Sequence, residues 1–159
     1  MKKLLIAGTA LAATAALLGA CGGSDDKKET KPKSTTATTA AQAGPATLKA
    51  AQTGIGTVLV DANGKTLYLY ANDQGATSAV PANILAAWPP LIASGAPIAG
   101  DGVDASKLKL AQQPDGQNWV TYDGHLLYAF SGDASAGQTN GHKLGSVWYA
   151  VTPSGAQAP

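Results

Sequence analysis

Two stretches place aromatic rings at one fixed spacing from an acid. Tyr68-Leu69-Tyr70-Ala71-Asn72-Asp73 and Tyr128-Ala129-Phe130-Ser131-Gly132-Asp133 both read Y-x-[FWY]-x-x-D. Rings beside a carboxylate make a platform for a sugar or a peptide. The same residue types also make core aromatics and a turn-capping aspartate. The reading favours that structural role for Tyr68, Tyr70, Asp73, Tyr128, Phe130 and Asp133. A glycosidase needs two carboxylates facing each other across a cleft. Asp73 and Asp133 belong to equivalent corners of a repeat, which argues against that pairing. His125 follows a turn and His142 lies in a polar loop, without the HxH or HxxH spacing of a metal pair. There is no G-x-S-x-G elbow for a nucleophilic serine. Gly54, Gly56 and Gly64 lie in a hairpin and not ahead of a helix, so they do not mark a phosphate loop. No catalytic residue, metal ligand or cofactor is therefore assigned, and the chain reads as a non-enzyme.

The elements that carry these residues repeat. At an offset of 60 residues Val60 matches Val120, Gly64 matches Gly124, Leu67 matches Leu127, Tyr68 matches Tyr128 and Asp73 matches Asp133. Ile84 then falls opposite Leu144 and Trp88 matches Trp148. Such a spacing marks two copies of one supersecondary unit. In the first copy, residues 46–53 and 57–61 read as strands. Asn63-Gly64 reads as a type I′ hairpin turn, and residues 65–71 as the returning strand. That strand has Leu67 and Leu69 on one face and Tyr68 and Tyr70 on the other, which predicts cover on both sides. Residues 78–87 are expected to form a short helix. Trp88-Pro89-Pro90-Leu91 then sets an extended corner, because proline disfavours helix in the residue before it. Residues 93–104 are expected to be an exposed linker. In the second copy, residues 106–112, 117–122, 125–130 and 147–151 read as strands around the turns at Asp115-Gly116 and Asp123-Gly124. The predicted fold is mainly β: two tandem β-hairpin repeats forming one small domain around Tyr68, Tyr70, Trp88, Tyr128, Phe130 and Trp148.

Ahead of the repeats, Met1-Lys2-Lys3 precedes an apolar run over residues 4–18. At about 1.5 Å per residue that run is short for a bilayer core of about 30 Å, and it reads as a secretory signal peptide over 1–20. Leu18-Gly19-Ala20-Cys21 resembles the bacterial lipoprotein box. That resemblance implies a diacylglycerol on the Cys21 thiol, cleavage before Cys21 and acylation, as with palmitate, of the new amino group. Two or more acyl chains anchor stably where one does not. The expected location is thus the extracytoplasmic face of a bacterial membrane. Cys21 is the sole cysteine, so no intrachain disulfide exists. Residues 21–46 hold Cys21 and a polar, aromatic-free tether. The expected layout continues with repeat one and linker over 47–105, repeat two over 106–153 and a disordered tail over 154–159. The chain has 11 basic residues, all lysine, against 10 acidic ones. That balance lacks the basic footprint of nucleic-acid binding.

From about residue 48 to 153 the chain resembles the bacterial secreted-repeat lipoproteins defined by the Y-x-[FWY]-x-x-D motif, whose function is unknown. The motif pair, Trp88-Pro89-Pro90-Leu91, Tyr122-Asp123-Gly124-His125 and Trp148 carry the likeness. Many relatives have a cysteine pair before the WPP corner; here those positions are Val80 and Ile84. Many have a proline where this chain has Leu126. The resemblance supplies no catalytic residues. The first reading of function is a non-enzymatic surface domain that binds an envelope glycan or protein partner. The alternative is an envelope redox or metal-handling accessory using His125, His142 and exposed tyrosines, and a hydrolase comes third.

Overall fold

The computed structural model describes residues 44–159. The expected signal peptide over 1–20, Cys21 and nearly all of the expected tether lie outside the described residues. The first repeat opens with strands β1 (Thr47–Thr53) and β2 (Gly56–Asp61), paired antiparallel from Leu48↔Asp61 to Thr53↔Gly56. Its return strand is β3 (Tyr68–Tyr70). Strand β4 (Ile98–Ala99) lies parallel to β1. The second repeat holds β5 (Leu108–Gln112), β6 (Asn118–Tyr122) and β7 (His125–Leu126) in one antiparallel sheet. Strand β8 (Trp148–Ala150) comes last. The architecture is mainly β, with two tandem repeats in one small domain.

The repeats are interlaced. Strand β8 of the second repeat pairs with β3 of the first, Tyr68↔Ala150 to Tyr70↔Trp148. The counterpart pairing joins Pro90 of the first repeat to Tyr128 of the second. Beyond those pairs, Leu59 N–H donates to Val151 O at 2.7 Å, and Val120 N–H donates to Leu91 O at 2.8 Å. Each repeat thus gives the strand after its tryptophan to the other repeat's hairpin. At the centre Tyr68 and Tyr128 exchange both backbone bonds, at 2.8 and 2.9 Å. That pair sits on an approximate twofold axis relating the two copies.

Strand alternation sorts the interior into two cores. Leu48, Leu59, Leu67, Leu69, Leu91, Val120, Leu127 and Val151 form an aliphatic one. Val58, Val60, Tyr68, Trp88, Trp119, Tyr128 and Trp148 form an aromatic one. Leu67, Tyr68 and Leu69 are all buried, so the return strand is covered on both faces.

Several local expectations are corrected. The pairing registers Leu48↔Asp61 and Leu108↔Tyr122 set β2 against β6 with an offset of 61, although β1 and β5 are offset by 60. Val60 is therefore equivalent to Thr121, and Leu59 to Val120. Leu59 and Val120 share the aliphatic core, whereas Val60 lies in the aromatic one. Turn length is the cause. The first turn has four residues between Gln52 and Thr57 but five between Gln112 and Asn118. The second has three residues inside Asp61 and Lys65 but two inside Tyr122 and His125. The two differences cancel, so the offset returns to 60 downstream.

The same length difference changes the turn at Asn63-Gly64. Among its residues only Gly64 has positive φ, and Gly64 N–H donates to Asp61 O. This is a three-residue loop ending in a left-handed glycine, not a type I′ turn. Asp61 Oδ1 holds it by accepting from Asn63 N–H and Lys65 N–H. The type I′ form belongs to Asp123-Gly124, with φ of 50° and 85°.

Residues 78–87 make successive turns and no helix. Ile84 N–H reaches Pro81 O and Trp88 N–H reaches Ile84 O, but no run of such bonds develops. The segment is too short, between Pro81 and Pro89, to offset helix nucleation. The 93–104 linker is part of the sheet through β4, and its Ala93 is buried. Residues 154–159 are ordered: Val151 bridges Gln157, Ala158 N–H donates to Ala150 O at 2.8 Å, and Ala158 is buried. The tail shields the outer edge of β8.

Candidate functional site

The motif residues converge in the aromatic core, and they do so crosswise. Tyr68 hydroxyl donates to Asp133 Oδ2 at 2.6 Å, and Tyr128 hydroxyl donates to Asp73 Oδ2 at 2.8 Å. Each tyrosine is thus bound by the acid of the other repeat, five residues past the equivalent tyrosine. Both acids also close their own corners. Asn140 N–H donates to Asp133 Oδ1 at 2.9 Å, and Ala79 N–H donates to Asp73 Oδ1 at 2.7 Å. Backbone bonds Asp73 N–H to Tyr70 O and Asp133 N–H to Phe130 O fold the two corners alike.

The two pairs differ in surroundings. Asp133 is 2 % exposed, and Gly141 N–H donates to Tyr68 Oη at 3.3 Å. Lys65 Nζ donates to the Asp133 carbonyl. Asp73 is half-buried. Burial lifts the Asp73 carboxyl above the usual carboxylate range, against the lowering pull of Ala79 N–H and the Tyr128 hydroxyl. Ser78 Oγ lies 2.8 Å from Tyr128 Oη. The Tyr128 proton points to Asp73, so Ser78 is the donor in that contact. Burial, reinforced by the facing carboxylate, pushes the Tyr68 phenol well above its ordinary pKa. Burial does the same for Tyr128, with Ser78 opposing and Asp73 adding to the shift.

Between the pairs runs a column of four rings. Trp88 and Trp148, equivalent in the two repeats, stack with centroids 3.8 Å apart and planes 3° apart. Phe130 stacks on Trp88 at 4.3 Å and 27°, and Tyr70 on Trp148 at 4.6 Å and 40°. The buried tyrosines meet the column edge-on: Tyr68 to Trp88 and Tyr128 to Trp148, both at 5.3 Å. Edge-to-face and offset contacts of this kind add about 0.5–1.5 kcal/mol each beyond burial. Tyr70 and Phe130 end the column half-exposed. Asn72 Nδ2 donates to Tyr70 Oη at 3.2 Å. Close packing explains Gly141, where a Cβ would stand 2.6 Å from Trp88 Cη2 and 3.0 Å from Tyr68 Cζ.

His142 stands outside this cluster, and His125 reaches it only through its charge, which pulls against the rise of the Asp73 carboxyl. His142 Nδ1 accepts from Ala150 N–H at 3.3 Å and its Nε2 lies 3.0 Å from Pro159 O. His125 is exposed on the type I′ turn. Among the described residues no three His, Cys, Asp or Glu side chains stand close enough to hold a metal ion. The partners Ser78, Asn140 and Gly141 carry no sequence signal of their own. The stacking of Trp88 on Trp148 did carry one, since both fall at the offset of 60.

A family model described as a secreted repeat of unknown function matches residues 49–92 and again 109–152, together more than half of the chain. No curated protein and no solved structure matches. No helix among the described residues is long and apolar enough to cross a membrane.

Proposed function

We propose, for a chain that belongs to the family of secreted repeats of unknown function, that its folded part is a binding module and not an enzyme. Its place is the extracytoplasmic membrane face, with Cys21 carrying the lipid anchor. One observation carries the reading: both motif acids are engaged inside the fold, while the ring column ends half-exposed at Tyr70 and Phe130. Asp133 is buried against Tyr68 and Asn140, so no outside substrate can reach it as a general acid or nucleophile would require. What faces outward are flat rings backed by a rigid stack. Such rings suit the apolar face of an envelope glycan or an apolar side chain of an envelope protein.

Two experiments test this. A photo-crosslinking residue at Tyr70 or Phe130, in the intact chain in its own envelope, is expected to capture one component reproducibly. The same residue on the remote turn at Asp115 is expected not to. Equal capture from both positions removes the binding reading. Cys21→Ser is expected to move the protein from the membrane fraction to the soluble one. Retention of that variant in the membrane would refute the lipid anchor. The metal-handling alternative has less support, because His142 is occupied by Ala150 and Pro159.

A further inference from the structure

Indoles and phenols are the side chains that most readily lose a single electron. This domain places five of them in one cluster of touching rings: Trp88, Trp148, Tyr68, Tyr70 and Tyr128. Trp88 and Trp148 are parallel at 3.8 Å, which lets an electron vacancy spread over both rings and lowers its energy relative to a lone indole. Tyr70 extends the stack toward solvent at 4.6 Å. Tyr128 touches Trp148 at its edge, 5.3 Å between centroids. Electron transfer between rings in contact needs no large rearrangement in a close-packed core.

A phenol becomes a good one-electron donor only when its proton can leave with the electron. Asp73 Oδ2, 2.8 Å from Tyr128 Oη, is a base in place to take that proton. Asp133 Oδ2 stands ready for Tyr68 in the same way at 2.6 Å. The two pairs differ in the onward path of the proton. Asp73 is half-buried and can pass it on to water, whereas Asp133 is buried and can only return it. Packing alone does not require this chemistry. The acids close their corners through the Ala79 and Asn140 amides, which needs no phenol, and a phenylalanine in place of either tyrosine would fill the same space.

We propose that the ring column is a one-electron relay. Its entry point is Tyr70, its outer partner is a metal-centred one-electron carrier at the surface, and its charge-storing residue is Tyr128 with Asp73 as proton acceptor. The step balances. The oxidised carrier takes one electron from the stacked indoles through Tyr70 and is reduced by one unit. Tyr128 refills the indole vacancy with one electron and passes its hydroxyl proton to Asp73 Oδ2. The products are neutral indoles, a neutral phenoxyl radical and a neutral aspartic acid. A reduced carrier at Tyr70 reverses every transfer.

The test is laser flash-quench oxidation of the full chain by photogenerated tris(bipyridine)ruthenium(III), monitored by transient absorption. The indole radical cation is expected first, decaying into a phenoxyl radical whose formation is slowed in heavy water. Asp73→Asn and Tyr128→Phe are expected to keep the indole radical and lose most of the phenoxyl signal. Tyr70→Leu, a change at a half-exposed end that leaves the buried pairs alone, is expected to slow the first oxidation. A phenoxyl yield unchanged in both Tyr128→Phe and Asp73→Asn would overturn the proposal, since the radical would then reside elsewhere. The unmodified chain tests the relay even if those variants misfold. Absence of a solvent isotope effect, or of any indole radical, overturns it equally.

Discussion

The two tyrosine–aspartate pairs are equivalent by repeat but not by surroundings, so truncating each acid gives an internal comparison. In Asp133→Ala the Tyr68 phenol, fully buried, loses its acceptor. An orphaned buried donor costs about 1–3 kcal/mol. The Asn140 amide also loses its partner, but that residue is exposed and water can replace the carboxylate. The small cavity left by the carboxylate adds to the loss, for a total of about 2–4 kcal/mol. In Asp73→Ala the Tyr128 hydroxyl can turn to Ser78 Oγ, 2.8 Å away, and the Ala79 amide is exposed. The expected loss is about 0.5–1.5 kcal/mol. For a domain of this size, at about 4 °C per kcal/mol, the melting temperatures of the two variants should differ by roughly 8 °C. Urea and thermal unfolding tracked by tryptophan fluorescence read both values, since Trp88 and Trp148 report on the core that opens. Equal losses, or a larger loss for Asp73→Ala, would show that the contrast in burial between the pairs does not govern their energetics.

Other outcomes rest on the same core. In an alkaline spectrophotometric titration Tyr68 and Tyr128 should remain phenols after exposed tyrosines ionise. Their folded pKa values are raised, so their contribution to stability is intact below the ordinary tyrosine value of about 10 and is lost as pH rises above it; the check is whether unfolding and the late tyrosinate signal coincide. Gly141→Ala should destabilise by about 1–3 kcal/mol, because the new Cβ meets the Trp88 ring; denaturant titration measures it, and a neutral effect would mean that the ring column yields easily. Fragments 44–103 and 104–159 should each be unfolded alone and should regain near-ultraviolet circular dichroism on mixing, because each lacks the strand the other donates.

The repeat was legible because identical side chains recur at one spacing through the return strand and the tryptophan corner. Its internal register was not. Val60 and Val120 share a residue type by coincidence, and the one-residue turn differences on either side of β2 cancel before Leu67. The motif itself was legible as a motif, with Asp73 and Asp133 at their corners. Nothing in Tyr68 to Asp73 says that the hydroxyl will seek the other copy's acid, because crossing is a property of the twofold arrangement and not of either segment. β4 escaped notice because two residues between Gly95 and Gly100 carry no periodicity. The ordering of 154–159 was hidden for a related reason: Ala158 fills a gap whose shape only the assembled β8 edge defines.

The exchange of strands between the repeats also sets a schedule for folding. The first hairpin cannot close its sheet until residues 148–151 have been made, and Val151, the partner of Leu59, lies 92 residues beyond it. Pairings this distant in sequence are slow, because loop closure is paid before any contact rewards it. A chain threaded out of a cell from its amino end would therefore travel as an open polymer. It would acquire its core only when the second tryptophan strand arrived, which leaves the whole first repeat pliable throughout transit.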